Sequence, residues 1–319
     1  MKNKTLTKII LALLLLLVLL TLLLLPELSH QRSRAATEKI GVLLVSHGSK
    51  SKSWRELLRE FRDEISNELL PGDHIADVKT AFMESSSPTI AAQLRSFDQQ
   101  GFTEVIAVPL FLTVGGHAAH DIPNILGLAA DPAIRASLKK ENTEFYQPKA
   151  RVTLTPTLDY QTFLQQNVIR RVKNLSRNSD EEAVVLVAYG SSQYNTQWEA
   201  MMKDIGRAVF KQTGIDAAAY AWCGHVVDYS PQDTQVAINK MLKQKQRVNV
   251  IPLLVSNNLF FSTTLSRKPL IPAQIPNRLC TSKTPFCLIS YSITGCYKMF
   301  APLLNHCRYS HYKFNGCKY

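Results

Sequence analysis

No aspartate or glutamate occurs after residue 262 in this chain of 319 residues, and none of the six cysteines stands in a CxxC pair with another. The missing CxxC spacing argues against a structural zinc site. There is no Walker-type GxxxxGK[ST] string, so no P-loop nucleotide site is expected. The string SHGS (46–49) is neither GxSxG nor a phosphatase-type Arg-His-Gly, which leaves a serine hydrolase or phosphatase reading weakly supported. What is present is a chain 45% apolar and 19% charged, a composition that excludes intrinsic disorder and allows a sizeable core.

The formal charge of +12 suggests nucleic acid until its distribution is read. Residues 1–35 hold five basic and one acidic residue, and residues 263–319 hold eight basic and none acidic, leaving 24 of each sign between them. The excess sits at the two ends, and no nucleic-acid partner is expected of the body. Lys2, Lys4 and Lys8 precede an apolar run from Ile9 to Leu25, interrupted only by Thr21. Seventeen residues make a helix of about 25 Å, close to a membrane span. Residues 1–36 therefore read as an export segment. If uncleaved, it anchors an extracytoplasmic body to the membrane; if cleaved near Ser33 or Ala35, the body is periplasmic. Residues 263–319 hold five of the six cysteines at irregular gaps and read as an atypical Cys-rich basic tail, outside the selected fold.

Between these ends the pattern alternates. IGVLLVS (40–46) is an apolar run of strand length. Residues 53–69 carry a helical stripe of Trp54, Leu57, Leu58, Phe61, Ile65 and Leu69, stopped by Pro71-Gly72. A second strand follows over 74–83. A helix capped by Ser87, with Pro88 at its first position, runs to Gly101, and a third strand covers 103–112. Asp121-Ile-Pro is expected to open another helix. The pattern then returns: VLLVSHGS (42–49) matches VVLVAYGS (184–191) at an offset of 142, and Ser87-Pro88 matches Ser230-Pro231 at 143. VIAVPLFL (105–112) likewise matches VNVIPLLV (248–255) at 143. An internal duplication is the best account. The expected fold is α/β: two similar parallel-sheet αβα halves preceded by an N-terminal hydrophobic helix. The first half covers 37–157. The second covers 158–262, is degenerate and looks truncated, and a helix around Phe163–Leu175 joins the two.

Ligands in open parallel sheets bind beyond the carboxyl ends of the strands. After the first strand of the first half comes His47, after the second Glu84, and after the third His117 and His120. A single histidine after a strand is ordinarily a hydrogen-bonded loop residue. Convergence of His47, Glu84 and His117 at one edge favours a site, with imidazole and carboxylate ligands suited to a divalent first-row metal and to proton transfer near neutral pH. His120, three residues on, reads as a supporting or capping group, and His74, at the opposite edge, as structural. Gly115-Gly116 would admit a flat ligand or simply turn the chain. In the second half the matching positions are Tyr189, Val227 and Phe260, so the copy keeps the strands and loses the polar set, as one silent half of a fused pseudo-dimer would. Cys223 and His225 either pack in the core or face the cleft.

These strings resemble the class II tetrapyrrole chelatases, and within them the sirohydrochlorin cobaltochelatases. The carriers are LLVSHGS with His47, AFMESSSPTI with Glu84 and VPLFLTVGGHAAHDIP with His117; the last is the most specific, and its DIP triplet assigns the second histidine to His117. The resemblance covers about residues 40–135 well and 183–261 more weakly. It implies a chelatase-like fold and insertion of Co²⁺, or of Fe²⁺ or Ni²⁺, into a sirohydrochlorin-type tetrapyrrole, without a nucleotide. It makes His47 and His117 the metal-holding, proton-accepting pair, with Glu84 as third ligand or orienting carboxylate. It also makes Lys50, Lys52 and Arg55 candidates for meeting the substrate's carboxylates. The family's usual setting is the cytoplasm, so the export segment is a departure, and a non-catalytic extracytoplasmic metal or tetrapyrrole carrier is the alternative.

Overall fold

Four consecutive strands pair edge to edge in the first half of the computed structural model, which describes residues 38–49, 52–71, 75–160, 162–223, 231–255 and 279–281. They are β1 (Ile40–Ser46), β2 (Ile75–Phe82), β3 (Glu104–Pro109) and β4 (Arg151–Leu154), in the order β2-β1-β3-β4, all parallel. Every residue of β1 and β3 is buried, as expected of strands covered on both faces. Helix α1 (Lys52–Leu69) buries Trp54, Leu58, Phe61, Ile65 and Leu69, the stripe its spacing predicts. Helix α2 (Ile90–Gln99) covers the other face, with Ile90, Leu94 and Phe97 packed against Leu43, Val45 and Ala81.

The second half repeats this layout with β5 (Glu182–Ala188), β6 (Ala217–Trp222), β7 (Arg247–Leu253) and β8 (Leu279–Thr281), in the parallel order β6-β5-β7-β8. Between β3 and β4 run the short α3 (Ile122–Ile125) and α4 (Pro132–Lys140). Helices α5 (Phe163–Leu175), α6 (Asn195–Thr213) and α7 (Pro231–Leu242) complete the described elements. Alternate residues of β1 (Val42, Leu44) and β5 (Val184, Leu186) belong to a single hydrophobic cluster together with α1, α5 and α6. Helix α5, which joins the two halves in sequence, packs against α6 and β7 of the second. There Arg171, 3% exposed, donates from Nη1 to the Pro252 carbonyl at 2.6 Å.

Three expectations are corrected. Ser87 does not cap α2: Thr89 does, its hydroxyl accepting from the Ala92 N–H, because the cis Ser87–Pro88 unit is drawn back to β2 by the Phe82 N–H donating to the Pro88 carbonyl. The helix expected to open at Asp121 begins earlier, as a π-helical turn over His117–Asp121 in which the Ile122 N–H donates to the His117 carbonyl. The tail is not wholly outside the fold, since Leu279–Thr281 pairs with Val248–Val250 and gives the second sheet its fourth strand. Among the described residues no helix is long and apolar enough to cross a membrane. Residues 1–36, on which the anchor reading rests, lie outside the described residues, as do Lys50, His74, His225, Val227 and Phe260.

Candidate active site

Strand register puts the candidate residues at one edge. Ser46 stands opposite Phe82 and Val45 opposite Pro109, so the segments leaving β1, β2 and β3 emerge side by side. The pairing continues past the strands: the Met83 N–H donates to the Ser46 carbonyl at 2.9 Å and the Glu84 N–H to the His47 carbonyl at 3.0 Å. Gly48 makes this approach possible. Its φ is +108°, and a Cβ there would lie 1.9 Å from the Glu84 carbonyl oxygen. A serine clamp holds the two loops together, with the Ser86 hydroxyl donating to the Ser49 carbonyl at 2.8 Å and accepting from the Ser49 N–H at 3.1 Å.

His47 and His117 meet at this edge, their ring centroids 4.8 Å apart and the planes 70° from parallel. Both side chains are partly open to solvent, at 45% and 42%. Nδ1 of His47 lies 3.5 Å from Oε1 of Glu84, beyond good hydrogen-bond length but within ion-pair distance. Nδ1 of His117 lies 2.7 Å from Oδ2 of Asp121, one turn along the same helical segment. A carboxylate oxygen only accepts, so Nδ1 of His117 carries the proton and Nε2 presents its lone pair. Asp121 thus orients His117, a role the sequence reading missed by making it a helix opener. The signal was available in the four-residue spacing from His117, which puts both side chains on one helical face.

The remaining candidates are distributed around this pair. His120 does not join it: its Nε2 lies 2.8 Å from the Tyr194 hydroxyl of the second half, and its carbonyl accepts from Nδ2 of Asn124. Arg55 donates from Nη1 to the Ser49 carbonyl at 2.7 Å and so braces the loop after His47. Lys52 is largely exposed, 3.7 Å from Glu56. Gly115 and Gly116 stand in open space, where an added Cβ would meet nothing within 4 Å, so packing does not demand glycine there. Tyr189, the counterpart of His47, is partly buried against the cores on both faces of the second sheet, and Cys223 is buried. A cavity of about 230 Å³ opens off Glu84, lined by Ser86, Ile90, Ile125 and Glu144 among others, and includes neither histidine. Among the described residues no three His, Cys, Asp or Glu side chains form a group that could hold a metal ion; the edge carries two partly exposed imidazoles with one carboxylate beside each.

Comparison with known proteins points the same way. The CbiX family model matches residues 41–175. The sirohydrochlorin cobaltochelatase of Methanococcoides burtonii is 40% identical over 92 residues, which is 29% of this chain and 67% of the relative. That of Methanosarcina barkeri is 39% identical over 92 residues, 29% of this chain and 68% of the relative. Among solved structures, SirB from Bacillus subtilis with Fe³⁺ superposes with a TM-score of 0.62 at 16% identity, covering 87% of this chain and all of that one. That match reaches across both sheets, whereas the family model's match begins in β1 and ends with α5. Identity of this level over two thirds of a relative's length shows that the chain belongs to the CbiX family of sirohydrochlorin chelatases.

Proposed function

We propose that this chain inserts a divalent metal ion, Co²⁺ before Fe²⁺ or Ni²⁺, into a sirohydrochlorin-type tetrapyrrole, without a nucleotide, in cobalamin or related tetrapyrrole synthesis. The observation that carries the reading is the His47–His117 pair, two imidazoles from different strands with ring centroids 4.8 Å apart at an open edge. Cobalt is placed first because the curated relatives are named cobaltochelatases.

Insertion breaks two pyrrole N–H bonds, forms metal–nitrogen bonds and releases two protons. An imidazole suits both halves of that exchange. Its neutral nitrogen holds the incoming ion, and as the ion passes to the ring the freed lone pair accepts a pyrrole proton. Asp121 keeps the Nε2 lone pair of His117 available, and Glu84 stands 3.5 Å from Nδ1 of His47, beside the second ring. An open site suits an ion in transit, since a closed set of protein ligands would hold it against the ring. Gly115 and Gly116 leave room for a flat macrocycle beside His117. In this reading the first half works and the second, with Tyr189 at the place of His47, does not.

Anaerobic insertion followed by the tetrapyrrole's absorption spectrum tests this on the full chain, with Co²⁺, Fe²⁺ and Ni²⁺ in competition. His47→Ala and His117→Ala are each expected to slow insertion by about 100-fold or more. Variants as fast as the parent would refute the site. A stoichiometric complex with ring and metal that yields no product would instead make the protein a carrier, the reading that the silent second half favours.

A further inference from the structure

The turn bearing His117 follows two glycines. Gly115 and Gly116 immediately precede it, and neither is fixed by packing, since a side chain at either position would find empty space. Glycine costs the most conformational entropy to order, so a catalytic imidazole placed just after two of them needs anchors on both sides. Within the first half the Gly115 carbonyl accepts from the Ala119 N–H at 2.8 Å and the His120 carbonyl from Nδ2 of Asn124 at 2.9 Å, and the second half adds an anchor on each side. Upstream, the indole N–H of Trp198 donates to the Val114 carbonyl at 2.9 Å. Trp198 is itself 7% exposed and stands edge-on to Trp222, with centroids 6.0 Å apart. Downstream, the Tyr194 hydroxyl lies 2.8 Å from Nε2 of His120. Tyr194 and Trp198 lie four residues apart, Tyr194 just before α6 and Trp198 in its first turn, so one rigid element grips the histidine turn at two points with His117 between them.

We propose that the second half, which has Tyr189 and Phe260 at the places of His47 and His117, is retained as the frame of the first, with Tyr194 and Trp198 as positioning residues that fix the turn carrying His117. This rests on the reading of His117 given above. It explains why a copy that lost its own ligands keeps its strands and its first helix: its product is geometry at the other half's site. Outer partners of a ligating histidine typically contribute 10- to 100-fold to affinity or rate.

The test is steady-state insertion by the full chain carrying Tyr194→Phe, which removes one hydroxyl and keeps the ring. It is run beside His120→Ala, the double variant, Trp198→Phe and His117→Ala. Tyr194→Phe is expected to lower kcat by about tenfold or more while KM for the tetrapyrrole and the melting temperature stay near those of the parent. His120→Ala should match it, and the double variant should lose no more than either single one, because both break the same link. Trp198→Phe is expected to lower kcat as well. If His117→Ala is crippled while Tyr194→Phe and Trp198→Phe turn over at parental kcat, the framing role is overturned and the site assignment stands. If His117→Ala itself is unimpaired, the site assignment falls and this inference with it. Additive losses in the double variant would also overturn the proposed link through His120.

Discussion

In the proposed reaction, Asp121→Asn separates orientation from ligation at His117. The amide can still accept from Nδ1, but it can also present its N–H₂ and drive the imidazole into the tautomer that blocks Nε2. Insertion is expected to slow by about 10- to 100-fold with little change in thermal stability, measured by the same spectral assay and by a melting curve. The residue scale is also where reading from sequence stopped short. His47, Glu84 and His117 were legible because strand ends in a parallel sheet share an edge, and the register brings those ends together. Asp121 was not, because it was assigned to the start of a helix that in fact begins four residues earlier, at His117. Tyr194 was not, because its partner lies 74 residues away and hydroxyl–imidazole pairing leaves no periodic trace.

At the scale of elements, the strand–helix alternation and the repeat at offsets of 142 and 143 were plain because buried parallel strands are continuous apolar runs. β8 was invisible for the converse reason: Leu279-Cys-Thr is too short to carry a pattern and lies in a stretch of odd composition. The start of β5 supplies a pH test. Burial raises the carboxyl pKa of Glu182, but the Arg177 N–H, the Ser176 hydroxyl, the Asn249 amide and the Asn178 N–H together outweigh it and hold it below the usual carboxylate value. A depressed folded-state pKa contributes stability that is fully present above the unfolded value, about 4.3, and is lost as pH falls through the lower folded value. Denaturation midpoints taken from pH 6 down to pH 3 should therefore fall in the parent. Glu182→Gln should be less stable at pH 6 and lose less on acidification.

For the molecule as a whole, the halves are joined by more than the chain between them. The cluster containing Val42, Leu44, Trp198 and Met202 runs through both, and α5 contributes Phe163, Leu164, Val168 and Val172 to it. Arg171, its pKa pushed down by burial to about 10, spans from α5 to β7. A chain shortened to residues 1–262 would keep the histidine pair and this cluster yet lose β8. Its expected behaviour is association on concentration, seen by light scattering, with the full chain remaining dispersed under the same conditions. The reason is the partner that β8 provides. Val248, Asn249 and Val250 already meet β5 on one side, and without Leu279–Thr281 the other side would offer its amide and carbonyl row to any passing strand. Three residues of unremarkable chemistry thus serve as a selvedge, and the tail's value to the protein would be read in how long a solution stays clear.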